Sequence, residues 1–170
     1  MSGGSARPAG APRPDDPTLA SEPVGAVRVR WSPVRRDASV TARSHAFSLR
    51  SALAFAPADS APSAAEYLLG ALAGDHVTGF ARHAVRRGVV LDDLEAAASG
   101  TLHSPLTALG VIGEETGDPA FDAITVTLYV ASPTDPDTVR AVWEEARRAS
   151  PTARTLERAV RLTLTLRIEV

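Results

Sequence analysis

From Ala26 the chain alternates apolar and polar positions: Val27, Val29 and Trp31 interleave with Arg28 and Arg30. A period of two is that of a strand with one face buried and one solvated, so the two arginines read as a wet face. A second strand is predicted over about Ser39 to Leu49 and a third around Leu53 to Phe55, giving an antiparallel meander.

The period then changes. Pro62-Ser63-Ala64-Ala65-Glu66 places Ser and Glu at the spacing of a capping box. The stretch it opens closes at Arg86-Arg87-Gly88, where arginines suit the negative end of a helix dipole and glycine suits the C-cap. Between these signals, AEYLLGALAGDHVTGFARHAVRR carries few charges. Small or apolar residues lie nearly all round its first four turns, which predicts a long helix buried on most sides.

Val89-Val90-Leu91 leads into a strand predicted over Leu94 to Leu102, although Ala-Ala-Ala-Ser is poor strand material. Thr116 to Pro119 reads as a turn, and Phe121 to Ala131 as a strand with Ile124, Val126, Leu128 and Val130 on one face. Asp135 followed by Pro136 starts a helix that runs through Val139, Val142, Trp143 and Ala146 to Ala149. Ser150-Pro151 breaks it, a short helical turn is predicted near Thr155 to Arg158, and Leu162, Leu164, Leu166, Ile168 and Val170 alternate in a closing strand. Runs of strands with helices packed on them mean an α+β fold.

Composition sets the limits. Residues 1–23 hold five of the 13 prolines with almost no large apolar side chain, which predicts a disordered tail before a single domain over 24–170. The 170 residues include no cysteine, and all 18 basic residues are arginine. A disulfide framework, a thiolate nucleophile, a Cys-based metal site, a lysine Schiff base and a P-loop are therefore excluded from this sequence. A formal net charge of -2 and a pI near 6.1 argue against a nucleic-acid partner. No apolar run is long enough for a membrane span, and a cytoplasmic location is expected.

The stretch APSAAEYLLGALAGDHVTGFARHAVRRGVVLDDLEAAASGTL resembles the OsmC/Ohr superfamily, the osmotically induced and organic hydroperoxide resistance proteins. FDAITVTLYVAS, VWEEARRASPTARTL and the terminal alternating strand follow in the same order, so the resemblance covers about 25–170. It implies antiparallel sheets wrapped around a long central helix, an intertwined homodimer, and active sites at the subunit interface. It also implies a reactive cysteine on the helix, a resolving cysteine before a proline, and a Glu and an Arg that orient peroxide. Here the helix cysteine's place, nine residues after Glu66, holds Asp75, and Ser150 stands before Pro151. Glu66 is retained, while Arg43 and Arg50 are both candidates for the arginine. A carboxylate cannot be oxidised to a sulfenic acid, so the family's peroxidase mechanism is excluded.

Asp75 lies mid-helix on the face of Leu68, Leu72 and Gly79, where an ionised carboxylate must be paired, solvated or protonated. It reads either as a general acid or base in the inherited pocket or as the partner of an arginine in a salt bridge at a decayed site. His76 adjoins it and His83 lies seven residues on, which is not the i, i+4 spacing of a zinc pair. Such histidines are more often core residues, and neither metal nor cofactor is expected. His45 could approach the pocket from the sheet, Glu66 has both a capping and a family role, and Tyr67, Leu72 and Phe80 are candidate pocket lining.

Two hypotheses follow. In the first, Asp75 performs acid/base chemistry on an organic molecule in a dimer-interface pocket, assisted by His76 or His45, Glu66 and an arginine; hydrolysis, elimination, cyclisation or isomerisation would suit that toolkit. In the second, the homodimer binds an apolar small molecule or a protein and catalyses nothing.

Overall fold

The computed structural model describes residues 25–34, 37–50 and 61–169, and divides into two compact units that meet in sequence at Ser48 and Leu49. The predicted N-terminal tail and the strand expected around Leu53 to Phe55 lie outside the described residues.

The first unit holds a three-stranded sheet in the order β1 (Val27–Ser32), β2 (Asp37–Ala42) and β3 (His45–Leu49). β1 and β2 are antiparallel, with Val29 opposite Val40 and Trp31 opposite Ala38. The single strand expected from Ser39 to Leu49 is two strands, because the chain turns at Arg43 and Ser44. Arg43 takes the left-handed conformation at φ 54°, with none of the Gly, Asn or Asp residues that usually announce it. The expectation that β1 buries one face is also corrected: Val27, Val29 and Trp31 remain 66%, 58% and 57% exposed, whereas Ala38 and Val40 on β2 are buried.

The second unit is built on α1 (Ala64–Arg87), β4 (Asp93–Leu102), α2 (Pro105–Ala108), β5 (Phe121–Ala131), α3 (Pro136–Ala149), α4 (Pro151–Leu156) and β6 (Arg161–Glu169). Its sheet has the order β4-β5-β6. β4 and β5 are antiparallel, but β5 and β6 run parallel, so this sheet is mixed where antiparallel strands were expected. The reason is the connection: two parallel neighbours need a crossover, and α3 and α4 supply it. The weak Ala-Ala-Ala-Ser segment of β4 is held by an unbroken register from Asp93 opposite Ala131 to Thr101 opposite Ala123.

Helix α1 begins and ends as its sequence dictates. The Ser63 hydroxyl accepts from the Glu66 amide at 3.2 Å while the Glu66 carboxylate accepts from the Ser63 amide at 2.7 Å, and Gly88 closes the helix at φ 68°. The helix packs on α3, α4 and the sheet through one stripe, Leu72, His76, Gly79, Phe80 and Ala84. Burial on most sides is thus not observed within the chain: Leu68 and Val85 are exposed, and a side chain added at Gly70 or Gly74 would meet nothing within 4 Å. The stripe joins two apolar clusters. One gathers Phe80, Ala84, Leu128, Val130, Val139, Val142 and Trp143; the other gathers Leu72, Ile124, Val126 and Ala153.

Candidate functional site

The point of chemical interest lies where α1 passes the junction of α3 and α4. Ser150 ends α3 and caps α4, its hydroxyl accepting from the Ala153 amide at 3.1 Å. The following proline occupies the first turn, where its missing N–H costs nothing. That cap leaves the Ser150 proton to donate, and it donates to the Asp75 carboxylate at 2.7 Å. The Thr152 hydroxyl donates to the same oxygen, Oδ2, at 2.7 Å, and the Thr152 amide adds a longer bond at 3.3 Å.

Three donors on one carboxylate oxygen settle the ionisation state. Burial pushes the Asp75 pKa up, but the hydroxyls of Thr152 and Ser150, the Thr152 amide and the neighbouring His76 together outweigh it. The net direction is down, which keeps Asp75 ionised at neutral pH. Among the described residues Oδ1 takes no hydrogen bond.

His76 points into the core. It is 1% exposed, and its ring lies 5.4 Å from that of Trp143 at 41°. Neither ring nitrogen has a hydrogen-bond partner among the described residues. Burial lowers its pKa, aided by Arg147 and opposed by Asp75 and Glu157, so the ring is held neutral. His83, two turns on, faces Glu145 of α3 at 3.6 Å, and Arg87 bonds the same carboxylate.

The other candidates are dispersed. Glu66 is exposed in the capping box, with its pKa lowered by the Ser63 amide and hydroxyl. The Arg50 amide donates to Pro62 O at 3.2 Å just before α1, and Tyr67 lies half-buried on the first turn of that helix. Leu72 and Phe80 are fully buried in the two apolar clusters. Arg43 and His45 belong to the first unit, at the β2–β3 turn and the start of β3. Of the predicted residues, the structure thus joins Asp75 to Ser150. Thr152 was missed; its only signal was a hydroxyl at the second position of a helix opened by Ser-Pro.

The sequence model of the family described as OsmC-like protein matches residues 57–165, well over half the chain. The chain belongs to the OsmC-like protein family. No curated sequence matches it. Among solved structures it is similar to the OsmC like protein from Mycoplasma pneumoniae, with a TM-score of 0.73 at 10% identity over 88% of this chain and 100% of that one. It is also similar to the organic hydroperoxide resistance protein OhrB of Bacillus subtilis, with a TM-score of 0.58 at 17% identity over 85% and 98%. A further match is an OsmC-type organic hydroperoxide resistance protein from Legionella pneumophila, with a TM-score of 0.61 at 11% identity over 86% and 98%. These identities speak to the fold. With no cysteine in its sequence, this OsmC-like chain has no thiol with which to reduce a hydroperoxide.

Proposed function

We propose that this OsmC-like protein has left thiol chemistry and works in the cytoplasm as a homodimeric binding protein for an apolar small molecule. One observation carries the reading: the residues standing where the resemblance places the two thiols, Asp75 and Ser150, are hydrogen-bonded to each other at 2.7 Å. The former redox pair has become a link between α1 and α4, with its carboxylate ionised and three of its acceptor interactions already used. An apolar ligand has a place to lie in a groove of about 490 Å³ lined by Trp143, Leu166 and Ile168 with Arg140 and Glu144. The exposed row Val27, Val29 and Trp31 on β1 supports association with a second copy, since isolated chains seldom leave such a row wet. No helix among the described residues is long and apolar enough to cross a membrane.

A second reading keeps catalysis. Asp75 Oδ1 is free of hydrogen bonds among the described residues and could take a proton from a substrate, as acid/base chemistry would require. The lowered pKa makes it a weak base and, at neutral pH, no acid. Asp75→Asn separates the two. The binding reading predicts a lower melting temperature with bound ligand, identified by native mass spectrometry of the purified protein, retained. A raised melting temperature together with lost turnover of the molecule so identified would favour the catalytic one. Incubation with an organic hydroperoxide and a dithiol should show no consumption above background.

A further inference from the structure

Arg28 and Arg30 stand two residues apart on β1, so their side chains leave the same face of the strand. Their direct cross-strand partners on β2 are Thr41 and Ser39. Together these four side chains line an open cavity of about 480 Å³. An arginine on a sheet surface is stabilised when a carboxylate occupies the opposite position, yet here both opposite positions carry hydroxyls. Neither guanidinium makes an ion pair or hydrogen bond among the described residues. The carboxylate of this face, Asp37, stands opposite Ser32 at the other end of the pairing and does not line the cavity. Among the described residues two uncompensated positive charges thus stand side by side on a chain of net charge -2, each opposite a hydroxyl on β2.

We propose that this face binds the dianion of a phosphate monoester. Two guanidinium forks offer parallel N–H donors to the terminal oxygens, and the hydroxyls of Ser39 and Thr41 complete the set. A dianion matches the charge of the two guanidiniums, whereas a carboxylate carries one charge and is satisfied by one fork. The cavity exceeds the volume of a phosphate group and so leaves room for the organic part of the ester. This site is built from residues of the first unit, and the ligand groove proposed above from residues of the second.

The test is isothermal titration of the full chain with phenyl phosphate at low ionic strength, beside benzoate and inorganic phosphate at matched ionic strength. The expected result is one phenyl phosphate per chain, with Arg28→Gln and Arg30→Gln each weakening binding about tenfold or more and the double variant abolishing it. Arg167→Gln, a surface arginine on β6, should leave it unchanged, which separates the site from general charge attraction. Circular dichroism and gel filtration confirm that each variant is folded. No binding, equal binding by the arginine variants, or benzoate binding as tightly as phenyl phosphate would each overturn the proposal. Inorganic phosphate binding as tightly as phenyl phosphate would overturn the assignment of an ester.

Discussion

The Ser150 hydroxyl reaches the Asp75 carboxylate, 75 positions earlier in the chain, at 2.7 Å while accepting the amide of Ala153. One side chain thereby caps α4 and ties it to the middle of α1. Thr152, two residues further on, repeats the tie with hydroxyl and amide. The arrangement gives Asp75 a role in holding the helices together that is strongest when it is charged, and this has consequences in solution.

Acid should loosen the link. The folded pKa of Asp75 is lowered, so its contribution to stability is fully present above the unfolded value of about 3.9 and is lost as pH falls through the folded value. Unfolding by urea at a series of pH values should show wild type and Asp75→Asn converging below about pH 4, with the gap widest above about pH 5. At neutral pH the gap should be about 1–2 kcal/mol, the scale of hydrogen bonds to a partly solvated charge. That corresponds to a melting temperature lower by about 2–8 °C for a chain of this size. A gap independent of pH would mean that the side chain's shape matters and its charge does not.

His76 should be dispensable as an ionisable group. Its pKa is also lowered, by burial, so the neutral ring's contribution is full above the unfolded value near 6.5 and declines as pH drops toward the folded value. His76→Phe keeps an aromatic ring against Trp143 and removes two polar nitrogens that lack partners among the described residues. It should be neutral or stabilising and should flatten the decline in stability that sets in below about pH 6.5. His76→Ala should cost about 2–4 kcal/mol by opening a cavity. Thermal melts across pH check both, and a large loss in the Phe variant would show that the imidazole has a polar role.

The capping box offers a control distant from the link. Ser63→Ala removes the acceptor of the Glu66 amide and should cost about 1 kcal/mol, roughly 2–4 °C in melting temperature. Combined with Asp75→Asn, its effect should add, because the two sites share no partner. Calorimetry of the three variants decides it.

Much of the second unit was legible because its signals are local. Ser63 and Glu66, Gly88, Asp135 with Pro136, and the alternation from Phe121 to Ala131 each act within a few residues, and each element formed where it was predicted. What escaped were relations between distant segments. Alternation along β6 reports which face is apolar but not which way the strand runs, and the parallel pairing with β5 follows from the α3–α4 crossover. The turn at Arg43 was hidden because arginine gives no sign of a positive φ. Small residues all round α1 suggested burial on most sides, yet the chain alone covers one stripe. At the site, the family pattern pointed to Asp75 and Ser150 together. Their hydrogen bond, and the second hydroxyl from Thr152, depended on how α4 docks against α1.

Asp75 and Ser150 should stabilise the fold through each other, and a double-mutant cycle in urea unfolding at neutral pH measures that coupling directly. Asp75→Ala and Ser150→Ala should each destabilise, and the double variant should lose less than the sum by about 1 kcal/mol or more. Losses that add to within about 0.3 kcal/mol, or an Asp75→Ala variant more stable than the wild type, would contradict the account.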